Sequence, residues 1–232
     1  MIKLMELEWR KLEQKKVLGE VITYWVILMF FPVLFLDVIA PKSGLLHFGQ
    51  SYSDAITLMA AIQMGLVLFG ASLINHVFIE EYKNKTISLS FGYPISRKKL
   101  VMAKVLFIGL TVFVTTLISF VLSGITTYVF DVFLNIIGGE PTWAVLMSFL
   151  VRMVIYSAAV ALISLVPLFL FGVWKRAVIP TVLCAILLMQ LPNYTWMIHP
   201  NLQVDGMYAL FSVLGVISVI VAIFKVDQVG DM

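Results

Sequence analysis

The sequence has little charge and almost no cysteine. Only 12% of its 232 residues are charged, about half the share of a soluble domain, while 61% are hydrophobic and the mean hydropathy is +1.03. The single cysteine, Cys184, can form no internal disulfide. The net charge of +3 is too small to indicate binding to nucleic acid. Because the apolar residues fall in long runs, the composition indicates a polytopic membrane protein.

The apolar runs also hold almost no ionisable side chains. Apart from groups close to the ends of their runs, such as His76 and Lys104, Arg152 is the exception, and it too lies near the end of its run, from which it can reach the membrane interface. An ion-coupled transporter needs Asp, Glu or His at membrane depth, and a protease using Glu80 and Glu81 would need further groups there. The chain has no GxxxxGK[ST] phosphate-binding loop. If the chain moves a solute uphill at the expense of ATP, the ATP would therefore bind a separate polypeptide.

Six apolar runs predict an all-α polytopic fold with a single transmembrane domain over residues 1–232. A helix needs about 20 residues to cross a bilayer core of roughly 30 Å. The predicted spans cover residues 21–38, 56–78, 101–129, 143–172, 178–191 and 207–224. We expect the first to kink or end near Pro32, the third and fourth to tilt or project beyond the lipid, and the fifth to be short.

The N-terminal residues 1–20 mix four Glu with five Lys or Arg, so we expect no cleavable signal peptide. Their apolar side chains recur at three- and four-residue steps, at Ile2, Met5, Trp9 and Leu12. This spacing predicts an amphipathic helix in the membrane interface, with Trp9 at headgroup level and Arg10 and Lys11 among its polar residues. A solvated juxtamembrane extension is the alternative.

The basic residues predict the orientation of the chain. With a cytoplasmic N-terminus, 14 of the 16 Lys and Arg fall in cytoplasmic segments, and only Lys42 and Arg152 do not. This bias predicts a multi-pass protein of the cell membrane with both termini in the cytoplasm.

The longest hydrophilic interruption runs from Glu80 to Lys104 and combines basic with apolar residues. Residues 86–91 alternate polar and apolar, but a lone strand at a membrane surface would leave its backbone unpaired. A short helix with Ile87 and Phe91 on one face is therefore predicted, ended by Gly-Tyr-Pro and followed by a helix that Ser96 caps. A basic loop held on anionic lipid is the alternative.

The order of residues in this segment resembles the cytoplasmic stretch between the second and third membrane helices of type-2 permeases of ATP-binding-cassette (ABC) transporters. The matching residues are Glu81, Lys83, Thr86, Pro94, Ile95, Ser96, Arg97 and Lys104. Lys85 departs from the pattern, since family members often have Gly before the Thr. The N-terminal ELEWRKL run and the six spans extend the resemblance over the whole chain.

The resemblance implies a permease subunit that pairs with a second permease subunit, as a homo- or heterodimer, and with separate ABC ATPase subunits that hold ATP and Mg. It therefore implies no catalytic residue, metal site or bound cofactor on this chain. Residues 79–100 would form the coupling segment and the N-terminal helix a connecting helix. The docking residues would be Glu81, Lys83, Thr86, Ile87, Leu89, Phe91, Pro94, Ser96 and Arg97. The cargo would be a hydrophobic or amphipathic peptide, antibiotic or lipid-like molecule that is exported. A non-ABC accessory or sensor membrane protein and an ion-coupled secondary transporter remain alternatives.

Two smaller features are interpreted as structural. His76 and Asn75 are predicted to be helix-end polar groups rather than ligands. Ala61 and Gly65 form a small-xxx-small pair, for which we expect close packing within the subunit, with a dimer seam as the alternative.

Overall fold

A computed structural model describes residues 2–39, 51–83, 96–137, 139, 141–190 and 204–229. Within these ranges the regular structure is helical and includes no strand, which confirms the predicted all-α fold. The helices are α1 (Ile2–Lys11), α2 (Gln14–Leu34), α3 (Tyr52–Gln63), α4 (Leu66–Ile74), α5 (Glu80–Lys83), α6 (Arg97–Leu134), α7 (Trp143–Ile163), α8 (Val178–Met189) and α9 (Val204–Val229). Three π-helical segments, Phe35–Ile39, Asn75–Ile79 and Leu168–Trp174, follow α2, α4 and α7.

Five stretches of the described residues are long and apolar enough to cross a membrane. They are Gln14–Ile39, Tyr52–Lys83, Arg97–Leu134, Trp143–Ile163 and Asp205–Lys225. The predicted fifth span corresponds to α8, a shorter apolar helix of 12 residues. Together they form the multi-pass membrane protein that the hydropathy pattern predicts.

The long helix α6 is the axis of the bundle. Its 38 residues extend about 57 Å at 1.5 Å per residue, well beyond a bilayer core of roughly 30 Å. It packs against α1, α2, α3, α4, α7 and α9. The helix ends at Asn135, which adopts a left-handed conformation with φ 51°, a common helix stop. Elements from both halves of the chain are therefore held on one rigid helix.

The N-terminal helix is shorter than predicted. It ends at Lys11, and α2 begins at Gln14, so the second half of the predicted interfacial helix is the start of the first span. Glu13 takes a non-helical conformation between them, with φ −69° and ψ 80°. The break lets α1 place Trp9 against α6 while Val17 enters the bundle core. The spacing of apolar residues cannot reveal such a break, because both helices continue an apolar pattern.

Pro32 does not end the first span. It lies inside α2, which continues into the π-helical segment Phe35–Ile39. A helical proline has no N–H for the carbonyl four residues earlier, here that of Leu28. The hydroxyl of Ser123 donates to the Leu28 carbonyl oxygen at 3.0 Å. A side chain of α6 thus supplies the hydrogen bond that α2 lacks at this point.

The predicted fourth span is interrupted. Helix α7 ends at Ile163, a turn follows, and the chain resumes as Leu168–Trp174. Pro167 explains the break, since its ring would clash with the Ile163 carbonyl in a continuous helix. The Ser218 hydroxyl of α9 donates to the Val166 carbonyl and accepts from the Phe169 amide, at 3.0 and 3.1 Å. The break is therefore held by hydrogen bonds from a neighbouring helix.

The second span is interrupted near its middle by a turn with tighter helical hydrogen bonding. Between α3 and α4 the backbone tightens at Met64 and Gly65, whose amides bond to carbonyls three residues earlier. A Cβ on Gly65 would lie 3.5 Å from Leu28 Cδ2 of α2. Close packing against α2 within the chain therefore explains the small residue at Gly65, one of the pair Ala61 and Gly65.

Candidate coupling site

Four charged side chains meet at one end of the bundle. Lys104 of α6 is fully buried, and its Nζ lies 3.0 Å from Glu8 Oε2 of α1 and 2.7 Å from Glu81 Oε2 of α5. Lys11 Nζ of α1 contacts the other oxygens, at 3.2 Å from Glu8 Oε1 and 3.4 Å from Glu81 Oε1. We call Glu8, Lys11, Glu81 and Lys104 the ion network, and the end of the bundle where they lie the charged end. The network joins three helices.

The surroundings of Lys104 explain why a lysine is tolerated there. A buried ammonium is costly unless opposite charges and hydrogen-bond acceptors surround it. Besides the two carboxylates, Lys104 donates to the Val77 carbonyl oxygen at 2.9 Å, and its Nζ lies 5.6 Å from the centre of the Phe78 ring. The second span therefore contributes backbone and aromatic contacts as well as Glu81. Loss of any one partner would leave charge uncompensated in a buried site.

Apolar packing docks α1 beside the ion network. The ring centres of Trp9 and Phe107 of α6 are 6.3 Å apart, and Met5 and Leu12 pack against the same core. The sequence predicted that Trp9 lies at the level of the lipid headgroups, whereas in the structure it packs against α6. Arg10 lies on the other side, where it forms an exposed pair with Glu6 at 2.6 Å. Such a surface pair contributes little stability.

The ion network shifts the pKa of Lys11. Partial burial alone would lower this pKa, but the carboxylates of Glu8 and Glu81 outweigh that effect and raise it. Because the folded-state pKa is above the ordinary value of 10.5, the contribution of Lys11 is complete below that pH and is lost only as the pH rises through the raised value. The Lys11 contacts therefore persist through the physiological pH range.

Four of the predicted docking residues belong to the part of the chain that the structure describes, and they lie on either side of residues 84–95. Glu81 belongs to the ion network, whereas Lys83 is exposed at the end of α5. Ser96 occupies the predicted N-cap position of α6, although its side chain makes no cap hydrogen bond, and Arg97 is the first helical residue. The other predicted docking residues, Thr86, Ile87, Leu89, Phe91 and Pro94, lie outside the described residues. The chain thus leaves Glu81 for residues 84–95 and returns through α6 to Lys104, so the ion network connects the two flanks.

A second polar cluster ties α2 to the second span at the charged end. His76 lies between two carboxylates, with Nε2 3.6 Å from Glu20 Oε1 and Nδ1 3.0 Å from Glu80 Oε2. Ser72 donates to Glu20 at 2.9 Å, and Asn75 donates to Glu80 at 3.2 Å. His76 and Asn75 are therefore partners of acidic groups on two helices. They were predicted only as polar groups at a helix end, and the structure adds these contacts with carboxylates.

The second half of the chain reaches the charged end through Arg176. Its guanidinium carbon lies 4.0 Å from the centre of the Tyr82 ring of α5, and its Nε donates to the Val173 carbonyl at 3.4 Å. Arg176 has a φ of 51°, a left-handed conformation that is uncommon for a residue other than glycine. This backbone turn directs its side chain onto α5. Helix α5 is therefore contacted from both sides, by the ion network and by Arg176.

The opposite end of the bundle carries separate polar contacts. Tyr52 of α3 bonds to Asp131 of α6, and Tyr156 of α7 donates to Asp205 of α9 at 2.6 Å. Arg152 donates to Thr57 of α3 at 3.1 Å, so it bridges two spans instead of extending freely to the interface. Within the described ranges, no group of three or more His, Cys, Asp and Glu is placed to hold a metal ion.

Sequence reasoning missed Glu8 and Glu20 as site residues. A signal for Glu8 existed, since it lies on the helix face shared by Met5 and Leu12 and so interrupts the apolar stripe of α1. Lys104 carries a similar signal, as a single cation within the apolar run LVMAKVLF. Neither signal identifies the partner, because Glu8 and Lys104 are 96 residues apart.

Comparison with known proteins points to a transporter family. Residues 4–191 match the sequence model of a family described as "ABC-2 family transporter protein". The chain is 35% identical over 147 residues to a Bacillus subtilis (strain 168) protein named "Uncharacterized protein YcbO", and the alignment covers 63% of this chain and 64% of that protein. The chain therefore spans slightly less than two thirds of that relative. No solved structure gives a significant match.

Proposed function

This chain belongs to the ABC-2 family of transporter proteins, and from that premise we propose that it is the permease subunit of an ATP-driven ABC exporter. Its five long apolar stretches form the membrane component. A second permease subunit, identical or related, completes the pathway. Separate ABC ATPase subunits bind ATP and Mg and hydrolyse ATP, so this chain itself is not an enzyme.

The observation that carries the proposal is the connection of both flanks of residues 84–95 to α1. Glu81 precedes this stretch and Lys104 follows it, and their side chains lie 2.7 Å apart. Glu8 adds α1 to the same network. A positive-inside loop held on lipid needs no buried charges behind it. A segment that transmits force does need a rigid attachment to the spans.

The ion network supports a lever mechanism. An ATPase that docks on residues 84–95 changes shape when it binds and hydrolyses ATP. Because separating buried opposite charges is costly, a displacement of this segment moves α5, α6 and α1 together. Helix α6 carries the displacement along its whole length and changes which side of the pathway is open.

The orientation follows from the position of the basic groups. Lys98 and Lys99 are exposed in the first turn of α6, close in sequence to Ser96, at the charged end. We place this end and both termini in the cytoplasm, where anionic lipid headgroups and the ATPase are available to these cations. The exported cargo is a hydrophobic or amphipathic peptide, antibiotic or lipid-like molecule.

Capture of the ATPase tests this function. The tagged chain is purified from its native membrane in mild detergent, alongside a variant with Ile87→Asp and Phe91→Asp. We expect an ATP-binding subunit to copurify with the wild type and to be largely lost with the variant, because two apolar contacts of the proposed docking face would become charged.

A matched control places the same two charges at polar positions of the same segment, Asn84→Asp and Ser88→Asp. This control should retain more of the ATPase than the first variant. Recovery of no ATPase with the wild type, or equal recovery with both variants, would overturn the docking assignment. An accessory protein or a secondary transporter would then be the better interpretation.

A further inference from the structure

The buried face of α6 carries a line of polar residues along about a third of the helix. Ser119, Ser123, Thr127 and Asp131 are spaced four residues apart and so lie on one helix face. Each is at most 8% exposed. The line is about 18 Å long at 1.5 Å per residue and ends at Asp131, which bonds to Tyr52 at the start of α3. We call these four residues the hydroxyl seam.

Two irregular helices meet the hydroxyl seam at Ser123. Its hydroxyl donates to the Leu28 carbonyl that Pro32 leaves without a helical partner, and it accepts from Gln63 Nε2 at 3.0 Å. Gln63 is the last residue of α3, directly before the tightened turn at Met64 and Gly65. Irregular backbone at membrane depth is tolerated where protein groups or a polar cavity satisfy it, and discontinuous spans often hold the ligand in transporters.

Several oxygens along the hydroxyl seam are left without a partner. Gln63 Oε1, Ser119 Oγ and Thr127 Oγ1 are buried and make no hydrogen bond within the described part of the chain. Their residues are 0%, 0% and 4% exposed. The Gln63 amide lies against the seam, since its nitrogen bonds to Ser123. A buried polar atom without a partner is costly, so three of them along one seam require an explanation beyond packing of small residues.

We propose that the hydroxyl seam opens during turnover and takes up the hydrogen-bonding groups of the cargo as they pass through the half of the membrane that ends at Asp131. This inference rests on the proposed permease function. In the closed arrangement α2 and α3 cover the seam, and the unpartnered oxygens are the groups that cargo or water satisfies when α6 separates from them. The displacement that the ion network transmits to α6 opens the hydroxyl seam.

The chemistry of the seam selects a class of cargo. Gln63 Oε1 is an acceptor, while Ser119 and Thr127 both accept and donate. Among the four seam residues and Gln63, only Asp131 at the end carries a charge. The seam therefore suits a cargo with uncharged hydrogen-bond donors and acceptors. Peptide amides have this character. A cargo with peptide bonds and apolar side chains therefore fits better than a simple hydrocarbon.

Cysteine accessibility tests the inference in the complete transporter. Cys184 is the only cysteine, so Cys184→Ser provides a clean background. Ser119→Cys and Thr127→Cys are introduced separately, and the permease–ATPase complex in lipid vesicles is treated with a charged, water-soluble methanethiosulfonate reagent. Only a hydrated, ionisable thiol reacts readily. We expect labelling at both positions to increase several-fold during ATP hydrolysis compared with a hydrolysis-deficient ATPase.

The controls are two residues on the exposed side of the same helix. Ile118 is 38% exposed and Ile125 is 58% exposed, and their cysteine variants should face lipid and stay unlabelled in both conditions. If ATP hydrolysis is intact but the seam positions remain as unreactive as these controls, the seam is packing only and the inference fails, while the permease function stands. If no ATPase associates with the chain, the proposed function and this inference fail together.

Discussion

Replacement of Lys104 by methionine is expected to destabilise the protein by about 3–5 kcal/mol and to abolish the coupling of ATP hydrolysis to transport. Methionine keeps much of the side-chain volume but removes the cation between Glu8 and Glu81. Those carboxylates would then face each other in a buried site with only Lys11 to compensate them. We expect a lower melting temperature in detergent, measured by size-exclusion chromatography after heating, and loss of ATPase stimulation by cargo.

Two comparisons separate stability from coupling. Lys15→Met removes an exposed cation of α2 that is not part of the ion network, and it should change neither property. The triple variant Lys104→Met, Glu8→Gln and Glu81→Gln leaves no buried unpaired carboxylate, so it should recover much of the stability. Coupling should remain impaired in that variant if the ion network is the lever. A stable, fully coupled Lys104→Met protein would contradict both the structural and the mechanical role.

Substitution of Gly215 by alanine is expected to disrupt the packing of α9 on α7. A Cβ on Gly215 would overlap the Leu162 carbonyl oxygen and lie 2.8 Å from its carbonyl carbon. Backbone atoms cannot rotate away, so the two helices must separate, at a cost of about 1–3 kcal/mol or more. Separation would also break the hydrogen bonds of Ser218 with the interrupted backbone near Pro167. A lowered melting temperature and reduced yield of folded protein would reveal the effect.

Gly206 provides the matched control, because it lies in the same helix and a Cβ added there would have no atom within 4 Å. Gly206→Ala should leave stability unchanged or raise it by up to about 1 kcal/mol through helix propensity. Equal melting temperatures for the Gly206 and Gly215 variants would show that α9 does not pack against α7 this closely.

The coupling site was only partly predictable. Glu81, Lys83, Ser96 and Arg97 were predicted as docking residues because their order along the chain resembles a known pattern. Glu8 was not, because its partner Lys104 is 96 residues away. Local patterns report which face of a helix is apolar. They do not report which charges of distant helices meet.

The sequence by itself determined the membrane location, the all-α fold and the approximate spans, because hydropathy and helix length depend on local composition. It also indicated that Pro32 would disturb its helix, since a missing N–H is a property of the residue. The predicted fourth span ran through Pro167, so the break there was not predicted. Only the tertiary structure decided the outcomes: Ser123 supports α2 at Pro32, while the turn before Leu168 interrupts the fourth predicted span. The tertiary structure likewise decided the ion network, because buried charges are stable only when helices bring their partners within contact distance.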